Sequence, residues 1–346
     1  MLPIIASVFG VFLIIATGAV CRQCNWLTRE ADRSLTNLTT RVLLPMYFVN
    51  KILNIGVTGE SVPESSSSIL LLIPPAFGFV ATASGFAIAY FLARQIGPKI
   101  GIVTDASQRA FALCVGICNY GYIPYPLAER FYPDAMIDLI LHNVGVELAL
   151  WSIGILIISG GEVASRALNH GSAIVPAWKR VLFSGPLLAV VVATLLRAIG
   201  AGPWIPSPVF FAINAIASAA IPMGLMICGA IIVDYIGEFL RGPLSRSSIP
   251  VMVSAITIRQ VVMPILMLGA TRLLVDGDPE SALSDTHILE VMVLQAAMPV
   301  ALFPIVLVQL YEQDTRTAIE VLISTTIAAI IAIPAWLAIG TWWLGP

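Results

Sequence analysis

The sequence predicts an all-α polytopic membrane protein whose ten transmembrane helices form two inverted repeats of five. Three features lead to this prediction. The chain of 346 residues is 58% hydrophobic and only 11% charged, which is far more apolar than an average soluble domain. It contains ten apolar runs long enough to cross about 30 Å of hydrocarbon. Two of these runs, one in each half of the chain, are interrupted by prolines.

The ten apolar runs are separated by short polar loops. In chain order they cover residues 2–20, 36–55, 69–93, 108–128, 138–159, 181–199, 209–233, 249–274, 288–311 and 318–343. A run of about 20 residues spans the bilayer core at about 1.5 Å per residue. The first run has no basic segment before it and is long for a signal peptide, so we expect it to be a helix of the mature protein.

The distribution of basic residues predicts the orientation. Lys and Arg fall mostly in the odd-numbered loops, beginning with Arg22, Arg29 and Arg33 in the first. Because basic residues are retained on the cytoplasmic side, we expect both termini to lie outside the cytoplasm. A net charge of −2 gives no indication of a nucleic-acid partner.

The two halves are in register with each other. Leu44-Pro45-Met46 in the second run has a counterpart in Ile221-Pro222-Met223 of the seventh. Five spans per half is an odd number, so the second half crosses the membrane upside down relative to the first. We therefore divide the chain into a first repeat of residues 1–159, a cytoplasmic linker of residues 160–180 and a second repeat of residues 181–346.

The fourth run is broken within Asn119–Pro126. A proline has no N–H to donate, and its ring clashes with the carbonyl four residues back. Pro124 and Pro126 therefore free the carbonyls of Tyr120 and Tyr122. The Asn119 side chain can cap a half-helix or contact a substrate, because an amide both donates and accepts hydrogen bonds.

The ninth run is broken in the same way. Pro299 and Pro304 free the carbonyls of Gln295 and Val300. Broken helices at membrane depth persist only where they are packed in protein or line a wet cavity, and a pair of them, one per half, is typical of a secondary carrier. The positive N-termini created by the breaks favour an anion between them.

Two ionisable residues lie inside predicted helices, where they are costly and usually face a functional site. Glu147 is either a carboxylate of the substrate pocket, able to carry a proton, or a structural acid paired with a neighbour such as Arg259. Arg259 either binds an anionic substrate or donates to the freed carbonyls, and we favour the second role. We expect His142 to be a hydrogen-bonded residue near the outer interface.

These motifs resemble those of the auxin efflux carrier family, which includes the plant PIN-formed carriers. The most specific match is the ninth-helix motif Val293–Pro299. The resemblance covers essentially the whole chain, and its other matching positions are Phe303, Pro304 and Tyr311 in the ninth run, Asn119, Pro126, Leu127, Phe131 and Tyr132 in the fourth, and Leu44, Pro45, Trp151, Arg259 and Pro264 elsewhere.

The resemblance implies a fold shared in outline with bile-acid and sodium–proton carriers. Helices four and nine would cross at their prolines. A transport domain of helices three to five and eight to ten would move like an elevator against a scaffold of helices one, two, six and seven. The resemblance also implies that Asn119 holds a substrate carboxylate and that the protein is a homodimer.

One position departs from the family pattern. The plant carriers tend to have a neutral Gln four residues before the tryptophan of helix five, whereas this chain has Glu147 before Trp151. A carboxylate beside the site repels an anion unless it is protonated, which makes proton coupling plausible. The chain also lacks the long hydrophilic central loop of the larger plant members.

We therefore predict a secondary carrier that exports small organic anions, auxin-like or other carboxylates, across the cell membrane. No cofactor or metal is implied. The predicted substrate-binding residues are Asn119, Tyr120, Tyr122, Pro124, Pro126, Glu147, Gln295, Pro299 and Asn50. Arg259 and Pro304 are predicted to support the crossover.

Other functions remain open at this stage. The nearest is a proton- or sodium-coupled importer of a dicarboxylate such as malonate or malate on the same fold. A passive channel or a sensor is also conceivable. An intramembrane hydrolase would need a nucleophile with its base or a metal site, and the three histidines, His142, His170 and His287, form no His-Glu-x-x-His motif.

Overall fold

The computed structural model describes residues 1–54, 70–160, 185–201, 204–241, 248–277 and 287–344. Apart from residue 160, the predicted linker of residues 160–180 lies outside the described residues. Within the described ranges the secondary structure is helical, and the β contact there is an isolated bridge between Cys118 and Val300.

The described residues form sixteen α-helices, several of which continue directly into the next. Their bounds are α1 Leu2–Gln23, α2 Arg29–Leu38, α3 Leu44–Asn54, α4 Ile73–Ile100, α5 Asp105–Gly116, α6 Pro124–Phe131, α7 Met136–Ala149, α8 Ile155–Ser159, α9 Gly185–Ala198, α10 Ser207–Ser218, α11 Ala220–Arg241, α12 Ser248–Thr257, α13 Met263–Gly277, α14 Ile288–Ala297, α15 Phe303–Leu310 and α16 Thr315–Leu344.

In the described ranges, three π-helical turns connect consecutive α-helices into continuous helical segments. They cover Thr39–Leu43 between α2 and α3, Leu150–Gly154 between α7 and α8, and Ile258–Val262 between α12 and α13. Turns of this kind inside α-helices often occur at functional sites. The third contains Arg259.

Among the described residues, six helical segments are long and apolar enough to cross a membrane, so the chain is a multi-pass membrane protein. They are Leu2–Gln23, Ile73–Ile100, Pro133–Ser159, Ser207–Arg241, Ser248–Gly277 and Thr315–Trp343. Two shorter apolar helices are Leu187–Arg197 and Ile288–Ala297. Helical residues lie in every one of the ten predicted runs.

The second helical segment begins earlier than the sequence predicted. Helix α2 starts at Arg29, not at Thr36, because its first turns are polar and add no hydrophobic signal. Glu30 and Asp32 lie in its first turn, where carboxylates favour the positive end of the helix. The apolar run therefore marks only the part of this helical segment that is suited to the bilayer.

Close backbone contacts fix the two best-packed helix pairs. A Cβ on Gly145 of α7 would lie 1.9 Å from the carbonyl oxygen of Pro75 in α4, and one on Gly229 of α11 would lie 1.8 Å from that of Ile15 in α1. Small residues at helix crossings allow such approach in membranes. The α4 contact holds α7, which carries Asn143 and Glu147, in a fixed position.

Candidate functional site

The two predicted helix breaks are present and lie against each other. Helix α5 ends at Gly116 and α6 begins at Pro124, while α14 ends at Ala297 and α15 begins at Phe303. Pro124 is the first residue of its helix, a position where the missing N–H costs nothing and the fixed φ favours the helix. Pro124 therefore begins α6 and Pro304 lies in the first turn of α15, whereas α5 ends at Gly116, eight residues before Pro124.

Extended backbone joins the two breaks. The N–H of Asn119 donates to the carbonyl of Pro299 at 2.7 Å, and the N–H of Ala301 donates to that of Ile117 at 3.3 Å. The pairing is antiparallel and is centred on the Cys118–Val300 bridge. Each break thus satisfies part of the other's backbone, which hydrocarbon would leave unpaired.

The carbonyl freed in the fourth run is satisfied by a neutral amide. Nδ2 of Asn143 donates to the carbonyl oxygen of Tyr120 at 2.8 Å and to the hydroxyl of Tyr125 at 2.8 Å. Oδ1 of Asn143 accepts from Nε2 of Gln295 at 2.8 Å. One side chain of α7 therefore links the fourth-run break to the last turn of α14.

The carbonyls at the ninth-run break are satisfied by a guanidinium. Arg259 donates from Nη2 to the carbonyl oxygen of Gln295 and from Nε to that of Met298, both at 3.1 Å. The side chain is only 1% exposed. These are the contacts that the bracing role requires, and the π-helical turn Ile258–Val262 presents the side chain toward them.

Gln295 is packed inside the junction, which is the region where the fourth-run and ninth-run breaks meet around the Cys118–Val300 bridge. It is fully buried, its Nε2 donates to Asn143, and its Oε1 accepts from the thiol of Cys118 at 3.0 Å. Both polar ends of the amide are therefore used to connect α14 to α7 and to the fourth-run break. Gln295 does not line the cavity, and its contacts hold together the helices around it.

A small cavity lies beside the junction, on the side of the fourth-run break. Its volume is about 40 Å³, which is room for water and not for an organic acid. Its lining residues are Leu44, Phe48, Tyr120, Gly121, Tyr125, Ile140, Asn143, Val144, Glu147, Leu187 and Val190. Asn143 and Glu147 are four residues apart and so lie on one face of α7.

Glu147 faces this cavity without a counter-ion in the described part of the chain. In particular, no ion pair joins it to Arg259, whose donors go to backbone carbonyls. The described residues therefore do not contain the structural pair considered from sequence. An ionisable side chain therefore lines the cavity beside the fourth-run break.

The other predicted site residues lie in different surroundings. Asn119 is half-buried, with its Oδ1 3.9 Å from where a Cβ of Gly121 would lie. The ring of Tyr122 packs on Gly224 of α11. Asn50 is buried and donates from Nδ2 to Oδ1 of Asn214 at 3.3 Å, away from the cavity lining.

An aromatic cluster adjoins the cavity at its α3 and α6 side. The rings of Tyr47, Phe48 and Tyr125 have centroids 5.6–6.0 Å apart. The Tyr47 hydroxyl donates to Oε1 of Glu129 at 2.5 Å, and Nζ of Lys51 pairs with the same oxygen at 2.9 Å. The cluster and this pair join α3 to α6 next to the fourth-run break.

The sequence did not indicate the role of Asn143 at the junction, and it gave a wrong expectation for His142. Asn143 was not selected, although its spacing from Glu147 places two polar side chains on one face of an apolar helix. The expectation for His142 was wrong. It is buried, and neither ring nitrogen has a hydrogen-bond partner among the described residues, because a position near the end of the apolar run did not reveal the packing of α7 on α4.

Comparisons with known proteins give a match along the whole chain. A family model described as membrane transport protein matches residues 3–337. An uncharacterized transporter of Methanothermobacter thermautotrophicus is 24% identical over 333 residues, which cover 95% of this chain and 96% of that protein. The family match includes both breaks, Glu147 and Arg259.

Proposed function

This chain belongs to the membrane transport protein family, and from that premise we propose that it is a secondary carrier of small organic anions. Its site would lie where the broken helices meet, next to Glu147. The transported molecules would be carboxylates, auxin-like or other. The direction we propose is export across the cell membrane.

The observation that carries the proposal is the cavity beside the meeting breaks. It is bordered by Glu147, by Asn143 and by the backbone of Tyr120 and Gly121. This backbone leads directly into the N-terminus of α6, whose positive dipole end attracts a carboxylate, although Pro124 and Pro126 contribute no N–H there. An ionisable residue and unwound backbone at membrane depth are features of carrier sites.

The proposed architecture has ten spans in two inverted repeats, with α5–α6 and α14–α15 as the crossing broken pairs. The first repeat would cover residues 1–159 and the second residues 181–346, joined by a cytoplasmic linker. Both termini would lie outside the cytoplasm, and two copies would form a homodimer in the bilayer. This architecture is supported by the presence of helical residues in each of the ten predicted runs.

The position of the cavity supports an elevator. Leu44 and Phe48 of α3 and Leu187 and Val190 of α9 line it on one side, and these helices belong to the proposed scaffold. The opposite side consists of α7 and the fourth-run break, which belong to the proposed transport domain. A site at such a boundary opens or closes when one body slides along the other.

Each predicted residue receives a role in this proposal. Asn119 and the amides before Pro124 and Pro126 would bind the carboxylate beside Tyr120, and Glu147 would carry a proton. Gln295 would hold the junction. Arg259, Pro299 and Pro304 would maintain the ninth-run break, and Asn50 and Tyr122 would line the path once the cavity widens.

A second candidate is a proton-coupled importer of a dicarboxylate such as malonate or malate. The observation that favours it is Glu147, a carboxylate at the cavity with no counter-ion in the described residues. A proton bound there removes the repulsion of an entering anion. The direction of substrate flux under an imposed proton gradient distinguishes this importer from the exporter.

The test is electrical current from proteoliposomes on a solid support, with indole-3-acetate, malonate, malate and other small carboxylates. We expect at least one to give a saturable current in the wild type. Asn119→Ala should lower that current about tenfold to hundredfold, as the loss of one hydrogen bond to a charged group does. Asn37→Ala, at an exposed position of α2, is the matched control.

The proposed site is wrong if Asn119→Ala transports like the wild type. Thermal unfolding of both asparagine variants in detergent establishes that the proteins compared are folded. A channel is recognised in the same liposomes by the absence of saturation and of counterflow.

A further inference from the structure

Arg259 is a buried cation whose charge is not neutralised by a side chain. In the portion of the chain described, no Asp or Glu lies within ion-pair distance of its guanidinium. Its hydrogen bonds go to two backbone carbonyls at the end of α14, those of Gln295 and Met298, and the side chain of Cys118 also interacts with it. Burying an unpaired charge is costly, so this arrangement needs a reason beyond filling space.

Those carbonyls form an environment that attracts cations. They lie at the C-terminal end of a half-helix, where the dipole is negative. Pro299 lacks the N–H of the regular helical bond to the carbonyl of Gln295, which accepts instead from the N–H of Met298 at 3.3 Å and from Arg259. In carriers with broken helices, unwound carbonyls and half-helix C-termini of this kind coordinate the coupling cation.

We propose that Arg259 is a tethered cation, which takes at the ninth-run break the place of a coupling alkali cation. The inference rests on the proposed carrier function and adds to it the class of coupling ion. The positive charge stays at the junction throughout the cycle, so substrate binding needs no sodium to complete it. A proton on Glu147 is then the remaining ion available for coupling.

Removing the charge of Arg259 should give different results if the residue is only structural and if it replaces a cation. If Arg259 only fills space and donates hydrogen bonds, Arg259→Ala loses stability equally in every salt. If it replaces a cation, Arg259→Ala leaves carbonyl oxygens around a space that an alkali cation can enter. Binding to the folded state then stabilises the variant by an amount that rises with the logarithm of the cation concentration once that concentration exceeds the dissociation constant.

The experiment compares thermal unfolding in sodium chloride and in choline chloride at equal ionic strength. We expect sodium to raise the unfolding temperature of Arg259→Ala by several degrees and to leave the wild type, Arg259→Lys and Arg272→Ala unchanged. Arg272 lies at a more exposed position of α13 and is the matched control. Sodium stabilisation of the wild type, or no sodium response in a folded Arg259→Ala, overturns the proposal.

If Arg259→Ala does not fold in either salt, Arg259→Lys and Arg259→Gln decide. Lysine keeps the charge, whereas glutamine keeps hydrogen-bond donors without it. Folded protein from the lysine variant alone supports the proposal, and equal yields from both overturn it.

The unfolding measurement needs no substrate, so it separates this inference from the carrier proposal. If no carboxylate produces current in the wild type, the proposed function fails while the role of Arg259 is still decided. Where current is found, we expect sodium to be unnecessary for the wild type. We expect sodium to restore transport by Arg259→Ala at least in part.

Discussion

The two helix breaks meet the same physical requirement with different chemistry. In the first half, the carbonyl of Tyr120 is satisfied by Asn143, a neutral amide that borders the cavity. In the second half, the carbonyl of Gln295 is satisfied by Arg259, a charged group almost completely removed from solvent. An amide and a guanidinium both donate hydrogen bonds, but only the guanidinium places a permanent positive charge at the break.

This contrast assigns different tasks to the two breaks. The polar groups of the ninth-run break are satisfied within the junction, because Gln295 and Arg259 donate their hydrogen bonds to groups there. The fourth-run break faces the cavity with Gly121, Asn143 and Glu147. We therefore regard the ninth-run break as the anchor and the fourth-run break as the surface that meets the substrate.

Removing the guanidinium should have the greatest effect. Arg259→Met removes the side-chain donor of the buried Met298 carbonyl and leaves the Gln295 carbonyl with only the N–H of Met298. An unsatisfied buried carbonyl costs about 1–3 kcal/mol and a partly satisfied one costs less, so we expect the free energy of unfolding to fall by about 2–5 kcal/mol. Denaturant unfolding in detergent measures this loss. Arg272→Met should lose less than about 1 kcal/mol, because its ion pair with Asp276 is exposed, and an equal loss in both variants would refute the anchor role.

Removing the amide should cost less. Asn143→Ala deprives the carbonyl of Tyr120 and the hydroxyl of Tyr125 of a donor and the amide of Gln295 of an acceptor, but the adjoining cavity lets water replace part of these contacts. We expect a loss of about 1–3 kcal/mol in unfolding free energy, together with a marked loss of transport. The control is Asn37→Ala. A loss larger than that of Arg259→Met would contradict the assignment of the ninth-run break as the anchor and of the fourth-run break as the surface that meets the substrate.

Moving the helix that carries the amide should have a similar or smaller effect. Gly145→Ala places a Cβ against the carbonyl oxygen of Pro75, so α7 must shift away from α4. We expect a loss of about 1–3 kcal/mol in unfolding free energy. Gly10→Ala, with no atom within 4 Å of the new Cβ, should lose no stability and can gain up to about 1 kcal/mol, because alanine favours the helix over glycine. Equal stability of the two variants would contradict the close packing of α7 on α4.

The half-exposed ion pair near the fourth-run break should matter least to stability. Glu129→Gln removes the charge that Lys51 pairs with, while the Tyr47 hydroxyl can still donate to the amide oxygen. We expect the unfolding free energy to change by less than about 1 kcal/mol. Glu238→Gln on α11 serves as the control, and a loss above 2 kcal/mol, roughly the value of a buried contact, would show that this pair also anchors the break.

The breaks themselves could be predicted from sequence because the proline rule is local. It identified the carbonyls of Tyr120 and Gln295 as free, and both are among those that receive side-chain donors in the structure. The whole-chain family match confirms the resemblance indicated by the ninth-helix motif. That family contains membrane transporters, not enzymes, so the hydrolase alternative has no support.

The donors could be predicted only in part. Arg259 was a candidate because an arginine in an apolar run is conspicuous, whereas Asn143 is a common residue whose role depends on the rotation of α7. That rotation is set by the contact of Gly145 with Pro75, which involves helices separated in sequence. The surroundings of Asn50 and Tyr122 depend in the same way on α10 and α11.

The measurement that decides the central claim is the carboxylate current of wild type and Glu147→Gln at two pH values, with Glu238→Gln as the control. We predict a current that depends on pH in the wild type and in the control but not in Glu147→Gln. That result would establish an anion carrier in which the carboxylate at the fourth-run break carries the proton. A current indifferent to pH and to Glu147 would contradict this account and would mean uncoupled transport with a structural carboxylate.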